Sequence, residues 1–143
     1  MTGPALTSFL RLTTLTRQQD SACADIEICG EARVVSPKLA ELLVALRPKI
    51  AQHACRSGGF GVFGDCIVGA LLPHAIEHLA IDLLAERFSG HDPQTFAGNT
   101  TWLDRDADLM RVRVGCTGTD PSQYVEEAAS ALIEATRLMN QLL

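Results

Sequence analysis

The sequence predicts an α+β fold: a single two-layer domain in which helices pack on an antiparallel or mixed sheet, in the order ββααββα. Two patterns predict it. Along residues 109–116, apolar side chains alternate with Arg111 and Arg113, which is the period of a strand with one buried face. Residues 71–86 are apolar at helical spacing nearly all round, which is typical of a central buried helix. A chain of 143 residues has room for one core of ordinary size, so we expect one domain over residues 1–143.

The first part of the chain predicts two strands and a helix. Residues 8–15 and 24–29 are rich in β-forming side chains, so the two segments are expected to be strands joined by a polar loop. Ser36 and Pro37 then supply an N-cap and a first-turn proline. Leucines recur at helical spacing after them, which predicts an amphipathic helix over residues 37–53.

A glycine-rich loop is predicted to lead into the central helix. Residues 58–64 contain four glycines, which permit tight turns and close backbone approach. Because Pro73 lacks a backbone donor, the helix is expected either to begin near Leu72, or to begin near Cys66 and kink at the proline. Both alternatives place His74 close to an N-terminal turn.

The last part of the chain predicts a hairpin and a final helix. Residues 89–94 have the composition of a loop. Residues 95–103 and 109–116 are expected to pair as two antiparallel strands. Asp120 and the proline after it have the pattern of a helix start, and the helix is expected to run almost to the C-terminus.

Composition argues against several classes of partner. The formal net charge is −5 and the basic residues do not cluster, so nucleic acid is not expected as a partner. No apolar run is long enough to cross a bilayer, and the first residues lack the pattern of a signal peptide. We therefore expect a cytoplasmic protein with no membrane partner. The five cysteines form no C-x-x-C pair, which is typical of a reducing compartment.

The central helix carries the pattern H-x-x-E-H at His74, Glu77 and His78. With ~3.6 residues per turn, the two histidines lie roughly 40° apart around the helix, with Glu77 beside them. Two imidazoles one turn apart can bind Zn²⁺ or another divalent transition metal, and zinc lowers the pKa of a bound water. Glu77 is then placed to act as the general base. The alternative is a core helix whose histidines are satisfied by ordinary hydrogen bonds.

A catalytic zinc site needs a third protein ligand, and sequence spacing does not identify it. Cys55 is the first candidate, because a thiolate joins two imidazoles readily on zinc and the following loop leads toward the helix. A buried structural cysteine is the alternative for that position. Glu126 and Glu127 are rival ligands from the last helix, although both also fit a solvated face. Asp82 and His53 are candidates for outer positions that orient an imidazole.

The motif residues resemble the N-terminal domain of cyanophycin synthetases, in which an H-x-C and a G-G-F precede a helix of the H-x-x-E-H type. The matching positions are His53, Cys55, Gly58, Gly59, Phe60, Gly69 and residues 74–83. The resemblance extends more weakly to the terminal strand and helix. The motif is also similar to that of inverzincin peptidases and of S-ribosylhomocysteine lyase, whose metal is held by two such histidines and a cysteine. The resemblance implies that His74, His78 and Cys55 bind the metal and that Glu77 is the base.

Three functions are consistent with these features. The first is a freestanding zinc-dependent hydrolase that cleaves a peptide or isopeptide-type amide in a cyanophycin-like or arginine-rich polymer, which the net acidity would suit. The domains that make the polymer are absent from these residues, so synthesis is not expected of this chain. The second is a non-catalytic, metal-containing binding or homo-oligomerisation module that uses the long last helix. The third is a metal-dependent lyase acting on a sugar thioether.

Overall fold

A computed structural model of the protein describes residues 9–55, 61–88, 96–117 and 121–143. The predicted loop at residues 89–94, the glycines of residues 58–60 and the cap at Asp120 lie outside the described residues. The elements in chain order are β1 (Leu10–Arg17), β2 (Ser21–Ile28), α1 (Pro37–Leu46), β3 (Ala54–Cys55), β4 (Gly61–Val62), α2 (Phe63–Cys66), α3 (Leu72–Arg87), β5 (Phe96–Asp104), β6 (Leu109–Cys116) and α4 (Val125–Leu142). Short 3-10 turns precede β3 and α4, at Pro48–Gln52 and Pro121–Tyr124.

The four long strands form one antiparallel sheet in the order β1-β2-β6-β5. Its register places Ala24 opposite Val112 and Ala22 opposite Val114, and all four side chains are buried. The next residues along the same strands, Asp25 and Arg111, form an ion pair instead. Because successive side chains of a strand point to opposite faces, this alternation gives the sheet one apolar and one polar face. The predicted α+β class is confirmed.

Helices α3 and α4 pack against each other and against the apolar face of the sheet. The third helix lies against β5 and β6, whereas α4 lies against β1 and β2. Most of the α3 side chains are buried, Ile76 and Leu79 completely, as the apolar pattern of this helix predicts. In the part of the chain that the structure describes, no helix is both long and apolar enough to cross a bilayer.

The helix predicted over residues 37–53 is wrong in its second half, because α1 ends at Leu46 and a separate 3-10 turn follows. Pro48 explains the break, since a proline disfavours the helical conformation of the residue before it. Arg47 accordingly has φ −135° and ψ 77°, outside the helical region. The expected start is confirmed, because the Ser36 hydroxyl accepts a hydrogen bond from the amide of Leu39.

Two short strands and a short helix occupy the region before α3 that composition predicts as a loop. Strands β3 and β4 pair antiparallel, with Cys55 opposite Gly61, and the four-residue helix α2 follows directly. The central helix then begins at Leu72 with Pro73 in its first turn, as one of the two predicted alternatives requires. The hairpin and α2 therefore form a separate support beside the N-terminal half of α3.

Gly98 is expected to be essential for the contact between α3 and β5. A methyl group at this position would lie 2.4 Å from the Arg113 carbonyl oxygen and 3.1 Å from Cγ of Glu77. The Gly98→Ala variant should therefore lose about 1–3 kcal/mol of unfolding free energy, measured by urea denaturation. Gly61→Ala is the control, since the contact that its methyl would make among the described residues is with Asp65 Oδ2 at 3.6 Å. Equal denaturation midpoints for the two variants would contradict the expected steric conflict.

Candidate metal centre

Cys55, His74 and His78 form a cluster of potential metal ligands between β3 and α3. One ligand atom from each residue can be chosen so that all three lie within 4.8 Å of one another. The Cys55 sulfur is 3.6 Å from His74 Nε2, and the two imidazole centroids are 5.0 Å apart. Zinc bonds of ~2.1–2.3 Å in a tetrahedron separate neighbouring ligand atoms by roughly 3.3–3.8 Å. The donor set and its spacing therefore fit a zinc ion after small side-chain movements.

The helix and the hairpin each contribute a defined part of this cluster. His74 and His78 lie one turn apart on α3, so they present their rings on the same side of the helix. Cys55 is buried at the end of β3, where pairing with Gly61 holds its backbone. The His53 carbonyl accepts a hydrogen bond of 2.7 Å from the Phe63 amide, which closes the hairpin onto α2. The ligands thus come from two elements, the helix α3 and the strand β3.

Phe63 fixes the orientation of the His78 imidazole. Its fully buried ring stacks on the His78 imidazole with centroids 4.0 Å apart and an interplanar angle of 17°. Burial, reinforced by the neighbouring His74 and His53, lowers the pKa of His78 to about 3. Burial also lowers the pKa of His74. Both rings are therefore neutral at pH 7, and the neutral imidazole is the form that binds a metal ion.

A chain of polar contacts leads from His78 away from the cluster. His53 Nδ1 lies 3.3 Å from His78 Nδ1, and His53 Nε2 lies 3.4 Å from Asp82 Oδ1. One choice of tautomers satisfies both contacts, with His78 donating to His53 and His53 donating to Asp82. His78 Nε2 then carries a lone pair that can bind a metal, as in other histidine sites oriented by outer partners.

Arg47 and Glu86 complete this chain at its outer end. The Arg47 guanidinium donates to Asp82 Oδ2 at 2.6 Å and also to the exposed Glu86 carboxylate. Asp82 is only 5% exposed, so the arginine compensates a carboxylate charge that burial would otherwise make costly. The prediction that Asp82 and His53 orient an imidazole from outside the ligand cluster is consistent with this geometry. Asp82 contacts His53, and His53 contacts His78, so Asp82 acts on His78 indirectly.

Replacing Asp82 tests whether these contacts matter for a metal. The Asp82→Asn variant should bind Zn²⁺ roughly 10–100-fold more weakly, because His53 loses its charged acceptor and no longer orients His78. Asp25→Asn is a matched control, since Asp25 is 7% exposed and pairs with Arg111 at 2.7 Å on the far face of the sheet. Zinc affinities from competition with a chromophoric chelator give the result. A similar loss in both variants would assign the effect to folding.

Glu77 lies next to the histidines along the helix but contacts the sheet. Its Oε1 accepts a hydrogen bond of 2.7 Å from the Thr100 hydroxyl of β5. Burial raises the pKa of Glu77, and the hydrogen bond from Thr100 opposes that shift. The Glu77 carboxylate is not a member of the ligand cluster found among the described residues. Glu77 is therefore anchored to β5 rather than to the Cys and His cluster.

The rival ligands from the last helix are not part of the cluster either. Glu126 forms an exposed ion pair of 2.6 Å with Arg17 of β1. Glu127 is partly buried, and its Oε2 has no hydrogen-bond partner among the described atoms. Of the three predicted candidates for the third ligand, the structure therefore brings Cys55 to the two histidines.

Sequence reasoning missed three residues at this site. Cys66, the last residue of α2, donates a weak hydrogen bond to Cys55 with the sulfurs 3.5 Å apart. Burial, then the contact with Cys55, raises the pKa of the Cys66 thiol to about 11. Arg47 and Thr100 are the other two. The glycine-rich spacing between the cysteines hints that they can meet, whereas no local pattern indicates the contacts of Arg47 and Thr100.

Acid is expected to destabilise the metal-free protein. The pKa values of His53, His74 and His78 lie below the ordinary 6.5, so the unfolded chain binds more protons than the folded chain below that pH. Glu77 opposes this trend, because its pKa is raised. It is a single group, whereas three histidines act in the other direction. The thermal midpoint of chelator-treated protein should therefore fall as pH decreases from about 7 to 5. A thermal midpoint that stays constant or rises as the pH decreases would contradict the buried, neutral state of the three imidazole rings.

These features define an α+β protein with a Cys and His cluster that can hold a metal ion. Comparisons of the chain with family models, with curated proteins and with solved structures give no match. The resemblance to the N-terminal domain of cyanophycin synthetases therefore rests on the sequence pattern and stays a prediction.

Proposed function

We propose that the protein is a metal-dependent hydrolase that cleaves a peptide or isopeptide-type amide, with Zn²⁺ or another divalent transition metal held by Cys55, His74 and His78. The observation that carries the proposal is the convergence of these three ligand atoms within 4.8 Å of one another. Three protein ligands on zinc are typical of a catalytic centre, because they leave one coordination position for water or substrate. When bound, such an ion lowers the pKa of its water and polarises a substrate carbonyl.

Glu77 performs the proton transfers in this proposal. Thr100 holds its Oε1, and the carboxylate accepts a proton from the attacking water before returning it to the leaving amine. Burial favours this role, because it raises the pKa of Glu77 toward the working pH. The buried chain from His53 through Asp82 keeps the His78 ring in one orientation during the reaction.

The substrate class follows from charge and from the motif resemblance. The chain carries a formal net charge of −5, which favours encounter with cationic substrates. The resemblance to cyanophycin synthetase N-terminal domains suggests a polymer with an aspartate backbone and arginine side chains. An aspartate–arginine isopeptide is therefore the first substrate to test, with an arginine-free and lysine-free acidic peptide of equal length as the control.

The direct experiment is elemental analysis of protein purified without added metal, followed by cleavage assays. We expect about one zinc or similar ion per chain and cleavage of the isopeptide that stops when the metal is removed and resumes when it is returned. Protein that binds no metal, even after incubation with Zn²⁺, would overturn the proposal.

Cys66 favours a second candidate, a non-catalytic metal-containing module. Its sulfur lies 3.5 Å from that of Cys55 but outside the group of three ligand atoms, so the Cys66 side chain would have to move to bring a second thiolate to the two imidazoles. Four protein ligands close a zinc site and are typical of structural centres. Stoichiometric metal without any amide cleavage, together with lower zinc affinity in Cys66→Ser, would support this module over the hydrolase.

A further inference from the structure

Cys55 and Cys66 form a close pair of thiols at the edge of the ligand cluster. Their sulfurs are 3.5 Å apart, and neither cysteine is in a disulfide. A disulfide bond measures ~2.05 Å, so the two sulfurs need to approach by only about 1.5 Å. Side-chain rotation supplies a movement of that size. The pair is therefore placed to be joined covalently.

The two cysteines differ in their surroundings. Cys55 is 6% exposed and belongs to the hydrophobic core, whereas Cys66 at the end of α2 is partly exposed. A small oxidant can therefore reach the pair from the Cys66 side. Cys55 also lies 3.6 Å from His74 Nε2, so any bond made by its sulfur affects the ligand cluster directly.

We propose that Cys55 and Cys66 form a reversible disulfide when the protein meets a hydroperoxide, and that this bond withdraws Cys55 from the metal centre. A disulfide sulfur carries no thiolate charge, and the thiolate is the form that binds a metal. Oxidation should therefore release the ion. This second consequence rests on the proposed function, whereas formation of the disulfide requires only the two thiols.

The reaction balances with hydrogen peroxide as the oxidant. The Cys55 thiolate attacks one peroxide oxygen, the O–O bond breaks, and the departing hydroxide takes a proton from the solvent to leave as water. The product is a sulfenic acid on Cys55. The Cys66 sulfur then displaces its hydroxyl, which leaves with the Cys66 proton as a second water, and the disulfide bond forms. Two electrons pass from the thiols to the peroxide, and a dithiol reductant returns them.

The test uses the full chain with Cys29→Ser as background, because Cys29 is exposed and would form disulfides between molecules. Zinc-loaded protein is treated with hydrogen peroxide and then with dithiothreitol. We expect the mass to fall by two hydrogens, a Cys55–Cys66 peptide to appear after digestion, and the bound zinc to pass to a colorimetric chelator. Dithiothreitol should restore the mass and the zinc binding.

Cys66→Ser and Cys116→Ser in the same background separate the roles of the thiols. Without Cys66, Cys55 has no partner to resolve its sulfenic acid and continues to the sulfinic acid, so dithiothreitol should fail to restore zinc binding. Cys116→Ser removes a buried cysteine of β6 and should behave like the background protein.

The outcomes distinguish this proposal from the proposed function. If the protein binds zinc normally but both thiols are still reduced after treatment with peroxide, the disulfide proposal is overturned and the proposed function is not affected. A Cys55–Cys66 disulfide in protein that never binds zinc would support the pairing and overturn the metal-dependent hydrolase.

Discussion

The Cys55→Ser variant is expected to bind Zn²⁺ at least about 100-fold more weakly than the unaltered protein, which exceeds the typical cost of losing an outer partner. A neutral hydroxyl replaces a thiolate, while the two imidazoles remain. Serine is close to cysteine in size, so the buried position at the end of β3 should still be filled. Zinc affinity from chelator competition gives the magnitude. Loss of the thiolate-to-cobalt charge-transfer band in the Co²⁺-loaded variant identifies the missing bond.

Two controls test whether the effect belongs to the metal centre. Cys23→Ser alters another buried cysteine, 3% exposed against 6% for Cys55, but on the sheet. It should retain the affinity of the unaltered protein. Glu127→Gln tests the rival ligand on α4. If Cys55→Ser kept its zinc while Glu127→Gln lost it, the third ligand would be the glutamate and the geometry assigned to the cluster would be wrong.

The fold was predictable where burial makes apolar side chains recur at a regular spacing along the sequence. The hairpin of β5 and β6 follows from alternation, because every second side chain of β6 must enter the core. The central helix follows from apolar residues on nearly all sides. Pro48 indicates that the helix ends before it, but the helical spacing of the leucines in α1 hides this signal. The sequence therefore predicts a longer helix than the structure contains.

The pair of small strands and α2 illustrates what a local pattern cannot show. Their glycines permit many conformations, so sequence alone predicts only a loop. Pairing of Cys55 with Gly61 depends on packing against α3, which is set by the whole fold. This is also why the third ligand stayed open at the level of sequence, whereas the two histidines follow directly from helical spacing.

Contacts between distant segments account for the remaining unpredicted features. Arg47 and Asp82 are 35 residues apart, and Glu77 and Thr100 are 23 apart. Each contact joins segments that meet only in the folded chain, the residue after α1 with α3 in the first case and β5 with α3 in the second. A buried Asp82 or Glu77 implies that some partner exists, because an uncompensated carboxylate is costly in the core. The identity of that partner depends on strand register and helix ends, which are the least regular parts of the pattern.

Glu77→Gln is expected to lower the rate of amide cleavage by about 10²–10⁴-fold without loss of bound zinc. The amide side chain has nearly the same shape and can still accept the hydrogen bond from Thr100, but it cannot take a proton at neutral pH. Turnover of the aspartate–arginine isopeptide and zinc content measured on the same preparation give the result. Glu41→Gln is the control, since Glu41 is an exposed glutamate of α1 that pairs with Lys38 and belongs neither to the cluster nor to its chain of contacts.

A second variant separates proton transfer from a structural role of Glu77. Thr100→Val removes the hydroxyl that opposes the upward shift in the pKa of Glu77, so that pKa should rise further. Because the base must be deprotonated, the acidic limb of the rate profile should move to higher pH. The thermal midpoint should fall as well, since the variant removes the hydroxyl that donates to the buried carboxylate. If Glu77→Gln cleaved as fast as the unaltered protein, Glu77 would not be the base. If cleavage fell only in step with stability, its contact with β5 would serve packing, and the metal-containing module would be the better description.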